Sequence, residues 1–551
     1  GKTMSYAEDA LGRVASATDP LGRVTAYSYD AVDAVLTVTD SQGQVTTNTY
    51  DPVGALLTTS YSDGVTPTVT RTYNGAGLPA TVADGTGTTT MSYDSLGRLV
   101  GRAAPAGAVG YTYDLVGHVL RLTYPGGQAV VRTYTADGQL GSVTDWLGGR
   151  TTFGYDADGS LTTVVTPNGV TTTTGYDNPG RILSTTFATA TTALGSLTYT
   201  RNNADQVTAE AATGLGPSRT FGYDTLGRLA AENTSTYGYD AADNLTADAG
   251  TTQAYDDASQ LTTASTGAGS TAFTFDRRGN RTAATGSGGT VGYGYNQGNR
   301  LTSYTSGATS ATYTYNGDGL RAGKAVNGVA TAFVYDTAAT LPAIISDGPT
   351  RYVYGPGGLP IEQITAAGAV TYLHADQLGS IRLLTDASGN TAGTATFTGY
   401  GQRTTSGNTT PFGFTGQYTD AESGLLYLRA RFYDPATGGF LTRDPALTAT
   451  RQPYAYANGD PANRTDPSGQ AAYHYSFDLG SLGSPEDLAA YTRANCSTLF
   501  PISGCVSNFQ VGDTMHLHQD IAFYRQSFPV RVINLTSTSF QFVALSGHPE
   551  G

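Results

Sequence analysis

The sequence predicts a mainly β fold: a long antiparallel sheet of hairpins, coiled around a space, followed by a small α+β module. Three observations carry that expectation. A Tyr-Asp pair or close variant recurs at a period near 20 residues over some three hundred residues. The composition is turn-rich and aromatic, with 71 Gly and 37 Tyr beside one Trp and 13% charged residues. The repeat stops after Gln470, and both cysteines and four of the six histidines lie beyond it.

The repeat comes first along the chain. Its tyrosines stand at 29, 50, 73, 93, 113, 134, 155 and 176, in steps of 21, 23, 20, 20, 21, 21 and 21. The series resumes at Tyr255, Phe275, Tyr295, Tyr315 and Tyr335, each 20 apart. In "MSYDSLGRLVGRAAPAGAVGYTYDLVGHVL", residues 91–120, Tyr111 and Tyr113 are two apart and share a strand face. Asp94 starts a turn because its carboxylate can accept backbone N–H groups. Gly97 can supply the positive φ that closes the turn, and Arg98-Leu99 begins the next strand. One period is then one hairpin, and about fifteen hairpins make roughly thirty strands. At about 4.8 Å per strand the ribbon is on the order of 140 Å wide, and open twisted sheets of that size curl. Tyrosines at matching positions are expected to stack as ladders between strands.

Charge narrows the partners. A net charge of −14, with Lys2 and Lys324 the two lysines, argues against nucleic-acid binding by the repeat region. No stretch approaches 18 apolar residues, so no membrane span is expected, and nothing in the pattern asks for a cofactor or metal. The N-terminus opens in mid-repeat without a signal peptide, which reads as a fragment of a longer chain.

The Tyr-Asp-x-x-Gly-Arg-Leu unit resembles the YD repeat of the recombination hot-spot (Rhs) family. That family includes bacterial polymorphic toxins, insecticidal toxin complex C components and teneurins. "YLHADQLGSIRLLTDASGN" at 372–390, "FGFTGQYTDAESGLLYLRARFYDPATGGFLTRDP" at 412–445 and "PYAYANGDPANRTDPSG" at 453–469 resemble the Rhs-associated core. The resemblance implies a spiral β-shell over residues 1–370, closed by a core over 371–470, with a variable module over 471–551 as its cargo. By motif position it also implies self-cleavage by Asp444 and Asp466, assisted by Arg443, between Gln470 and Ala471. Such chemistry needs two carboxylates of unequal protonation, one to activate water and one to protonate the scissile carbonyl. The family favours Leu where Gln470 stands, and Asp444-Pro445-Ala446-Leu447 lacks the motif's glycine. A turn-forming role stays open for both aspartates, because "DPLG" at 19–22 has the same form inside an ordinary repeat. Asp51-Pro52, Asp434-Pro435 and Asp460-Pro461 read as structural turns.

The terminal module has its own signals. "GSPEDLAAYTRAN" at 483–495 predicts a helix with Ser484 as N-cap, and "VINLTSTSFQFVAL" at 532–545 predicts a strand. Cys496 and Cys505 favour a disulfide over free thiols. His516, His518 and Asp520 would share one strand face, either as a toxin-module site or as a solvated face. His118 and His374 are expected to serve repeat turns. Three functions follow from the resemblance: a secreted toxin shell, a teneurin-like adhesion scaffold on the cell surface, or an insecticidal-complex C component. The partners are its own C-terminal segment, an immunity protein or a target-cell surface, and the shell itself is expected to be monomeric.

Overall fold

The computed structural model describes residues 3–470 and, beyond them, the strands Thr514–Ile521, Tyr524–Leu535 and Phe540–Ala544. Forty strands, from β1 (Ser5–Glu8) to β40 (Arg403–Gly407), pair antiparallel in chain order as one sheet whose ends do not meet. This exceeds the thirty expected, because the irregular stretches between 176 and 255 and the chain from 335 to 407 also fold as hairpins. The pairing shows no break at 371, the expected start of the core, and runs on to Gly407.

Each repeat builds its hairpin from the same few bonds. In the turn after Tyr93, Asp94 Oδ1 accepts the N–H groups of Leu96 at 2.9 Å and Arg98 at 3.0 Å. Gly97 adopts φ 78°, a region that side-chain-bearing residues disfavour, and donates its N–H to the Asp94 carbonyl at 3.0 Å. Arg98 Nε binds Asp94 Oδ2 at 2.7 Å, and its guanidinium lies 4.8 Å from the centre of the Tyr113 ring in the next hairpin. Tyr113 then donates its hydroxyl to the Leu99 carbonyl at 2.6 Å. Tyr29, Tyr50, Tyr134, Tyr155 and Tyr176 repeat that reach onto a carbonyl 15 residues back.

The ladder therefore differs from the one expected. Successive repeat tyrosines lie two strands apart, about 9.6 Å, too far for ring-on-ring stacking. Hydroxyl-to-carbonyl bonds and intervening arginines fill the gap. His118 takes the arginine's place in one repeat, 2.8 Å from Asp114 Oδ2 and stacked on Tyr134. His374 does not serve a turn. It is buried in the strand Val370–Ala375, 2.9 Å from Thr385 Oγ1 and 3.3 Å from Thr172 Oγ1, and burial pulls its pKa down to about 4. Tyr113→Phe is expected to cost about 1 kcal/mol by removing one rung, read as a lower urea midpoint.

The ribbon winds over itself in two tiers. Turns on one edge of the first tier touch the second: Arg23 Nη1 donates to the Asp276 carbonyl, Ser41 to Arg277, Tyr124 to Tyr352 and Asn168 to Asp386. Near the start, the turn after β2 (Val14–Thr18) meets the turn after β27 (Gly269–Phe275), 25 strands on. Later, β21 (Arg219–Tyr223) meets β39 (Thr391–Phe397) through the bond from Arg219 to Phe397, 18 strands on. The winding therefore tightens, from roughly 120 Å of wall per turn to roughly 85 Å at about 4.8 Å per strand.

A second sheet closes against the narrowing end. It contains β41 (Tyr418–Thr419), β42 (Leu426–Leu428), β43 (Arg431–Asp434) and β44 (Gly439–Phe440). Phe412, Tyr418, Tyr427 and Phe432 pack into one apolar cluster with Tyr313, Phe333 and Tyr352 of the second tier. Beyond 470, β45 (Thr514–Ile521), β46 (Tyr524–Leu535) and β47 (Phe540–Ala544) form an antiparallel sheet. The single strand expected at 532–545 is thus the end of one strand and the whole of the next, with Val532 opposite Phe542. His516, His518 and Asp520 occupy alternate positions of β45, opposite Pro529, Ser527 and Arg525. The expected helix at 483–495, Cys496 and Cys505 lie outside the described residues.

Candidate functional site

The hairpin of β42 and β43 turns through Arg429 and Ala430, and its tip grips the stretch Pro467–Gly469. Arg429 Nη1 donates to the Pro467 carbonyl at 2.6 Å, the Ala430 N–H to the Ser468 carbonyl at 3.1 Å, and Arg431 Nε to the Gly469 carbonyl. Three consecutive carbonyls are thus fixed by three consecutive residues. Gly469 has φ 70°, and a Cβ there would come 2.5 Å from the Leu428 carbonyl oxygen, so this position takes glycine on both grounds. The chain is delivered to Gln470 in a defined path.

Asp444 and Asp466 converge on the same arginine. Their Oδ2 atoms each lie 3.4 Å from Arg431 Nη2, and all three side chains are at most 2% exposed. The guanidinium also rests on the Phe440 ring, 3.5 Å from its centre. The Asp-Pro turn places Asp444: its N–H donates to the Pro453 carbonyl at 2.8 Å, and its Oδ1 accepts the Ala446 N–H at 2.8 Å. Among the described residues, Asp444 Oδ2 has no hydrogen-bond partner. It borders a cavity of about 440 Å³ walled by Arg431, Arg443 and first-tier residues such as Tyr27 and Asn48.

One buried cation cannot neutralise two carboxylates. Burial pushes Asp466 up to about 6; Arg431 and the Ser468 hydroxyl oppose that rise and the Asp444 charge adds to it. A buried acid pair with one member near neutrality can hold one carboxylate and one carboxylic acid together. Chemically, the arrangement can take a proton from water on the cavity side and supply one on the other.

The sequence pairs the two aspartates as the structure does, but it takes Arg443 as their arginine. Arg443 instead faces Asp19 of the first tier at 4.0 Å and is about one-third exposed. Arg431, Arg429 and Ser468 were missed. Their signal in the sequence is an Arg-Ala-Arg between two apolar strands, a costly place for charge without a buried partner. Asp434 and Asp460 serve turns as expected: Asp434 Oδ1 accepts the Ala436 N–H at 3.0 Å and Asp460 Oδ1 accepts from Asn463 at 2.6 Å.

Two family models match the chain. The RHS repeat covers residues 9–45, and the teneurin YD-shell covers 59–174 and 347–477, a span that includes Asp444, Asp466 and Gln470. A tRNA3(Ser)-specific nuclease WapA of Bacillus spizizenii is 30% identical over 173 residues, which is 29% of this chain and 7% of that protein. Toxin protein Tse5 of Pseudomonas aeruginosa is 47% identical over 60 residues, 11% of this chain and 5% of that one. The chain spans less than a tenth of the length of either relative. Among solved structures, TcdB2-TccC3 superposes with a TM-score of 0.69 at 18% identity, over 85% of this chain and 29% of that one. With its Tyr-Asp hairpins, two-tier coil and these matches, the chain belongs to the Rhs/YD-repeat family.

Proposed function

We propose that this chain is the shell portion of a secreted polymorphic toxin, that residues 471–551 belong to its cargo, and that the shell frees the cargo by cutting after Gln470. The observation that carries the reading is the buried pair Asp444 and Asp466 on one arginine, beside a turn clamped up to the residue before the expected scissile carbonyl. Asp444, buried at the cavity wall, takes the proton of a water admitted there, and Asp466, lifted to about 6, supplies the proton for the carbonyl. Arg431 keeps one carboxylate ionised beside the other. The names of the two relatives, a tRNA3(Ser)-specific nuclease and a toxin protein, support a toxic cargo. Its producer would then need an immunity protein against that cargo.

A teneurin-like scaffold that never cuts is the second reading, favoured by the teneurin YD-shell match across the site. The denatured intact mass of purified protein separates the two. A break after Gln470, leaving an 81-residue fragment, is expected in the parent chain. Asp444→Asn and Asp466→Asn should each slow it by about 100-fold or more. An uncut parent chain would leave the aspartates as turn formers and favour the scaffold.

A further inference from the structure

Ser468, the third residue of the Asp-Pro-Ser-Gly turn, makes two contacts beyond the i to i+2 hydrogen bond of an ordinary serine turn. Its Oγ lies 3.0 Å from Asp466 Oδ1 and 2.8 Å from the carbonyl oxygen of Gln470, and accepts the Gln470 N–H at 3.1 Å. We propose that Ser468 is the proton relay between Asp466 and the scissile carbonyl of Gln470. This rests on the cleavage reading above.

Hydrogen-bond valence supports the assignment. A serine hydroxyl donates once and accepts twice. Gln470 N–H takes one acceptor position, so contact with both remaining oxygens is satisfied when the Asp466 carboxyl donates to Oγ and Oγ–H donates to Gln470. Were Asp466 ionised, the hydroxyl would have to choose between the carboxylate and the carbonyl. The three-residue path is rigid, because the Ser468 carbonyl is bound by Ala430 and its neighbours by Arg429 and Arg431. Burial lifts the Asp466 carboxyl to about 6, so the protonated form is populated in mildly acidic water.

The step balances as a hydrolysis. Water attacks the Gln470 carbonyl carbon, giving its proton to Asp444 as the C–O bond forms. The carbonyl π electrons move to oxygen, which takes the Ser468 proton while Ser468 takes the proton of Asp466. The resulting diol collapses: the C–N bond breaks, the amine of residue 471 receives the Asp444 proton, and a diol proton returns through Ser468 to Asp466. Both aspartates and the serine end as they began.

The test uses the full chain, made by cell-free synthesis and chased at pH 5 to 8, with intact mass reporting the cut fraction against time. Ser468→Thr keeps the hydroxyl and is expected to cut at a rate within a few-fold of the parent. Ser468→Val, of nearly the same shape, is expected to cut about 100-fold more slowly. The parent rate should fall as pH rises through about 6, the range in which Asp466 loses its proton; the residual Ser468→Val rate should lose that fall. A turn-forming role alone would move no pH profile. Equal rates for the Thr and Val variants would overturn the relay and leave aspartyl cleavage standing. An uncut parent at every pH would overturn both.

Discussion

Arg321→Ala is expected to destabilise the protein by about 3 kcal/mol, toward the low end of what a broken buried ion pair costs. Arg321 sits in the second tier and Asp420 in the closing sheet's approach, 99 residues apart, and both side chains are fully buried as an ion pair. Among the described residues the guanidinium's Nε and Nη2 find no hydrogen bond; they face rings instead, with Phe333 and Tyr427 centred 4.4 and 4.5 Å away. Truncation removes the cation from this aromatic box and opens a void. Asp420 keeps Lys324 Nζ at 2.9 Å, which holds the loss below that of a fully stranded carboxylate. Urea unfolding of Arg321→Ala, Asp420→Ala and the double variant checks this. The double variant is expected to be more stable than the sum of the two losses implies, because neither charge is then left behind. Strict additivity would mean that the pair adds nothing to the joint between coil and closing sheet.

Glu362→Gln should have the opposite sign at neutral and alkaline pH. Glu362 is buried in the strand Pro360–Ile364, with Oε1 lacking a hydrogen bond among the described residues. Burial first, and then the neighbouring Asp145, push its carboxyl up to about 9. The folded chain therefore binds a proton that the unfolded chain releases above about pH 4.3. That stabilisation is complete below the unfolded value and drains away as pH rises through the folded one, by about 1.4 kcal/mol per pH unit. The amide removes the slope while keeping shape and a donor for Asp145. Urea midpoints should then match the parent near pH 4.5 and exceed it increasingly at pH 7 and 9. His374 acts at the other end: its depressed pKa makes stability fall as pH drops from about 6.5 toward about 4. A parent chain with a flat alkaline limb would show that Glu362 ionises without cost.

The repeat was readable because each hairpin is decided locally. Asp94, Gly97 and Arg98 fix a turn by bonds spanning four residues, and Tyr113 reaches 14 residues back to fix the next rung. The same locality explains why the Asp-Pro turns could be recognised. What escaped the sequence is what depends on winding. Arg431 reaches the aspartates from another hairpin, at 35 residues from Asp466, and nothing in spacing distinguishes it from Arg443. His374 looks like a turn residue by its neighbour Asp376, yet its partner Thr172 is 202 residues away in the other tier. Ser468 was legible as a residue type inside a motif, but its junction role needs the clamp of Arg429 and Ala430 to be seen.

The tightening coil has a consequence for how such a chain can change its length. Contacts between tiers pair specific turns, as Ser41 with Arg277 and Asp84 with Gly317 do. Duplicating one hairpin between two such partners would slide every pair that straddles it by two strands, turning the ion pairs and hydrogen bonds of about one winding out of register. A hairpin added ahead of β1 disturbs no existing pair. Gene duplication can therefore add hairpins ahead of β1 without disturbing the described pairs, while the narrow end, where 18 strands make a turn, is locked to the closing sheet. Copy number should vary among relatives ahead of the hairpin that corresponds to β1 and stay constant over the final winding, and the intervals between the paired turns should be conserved in residues more strictly than the residues themselves.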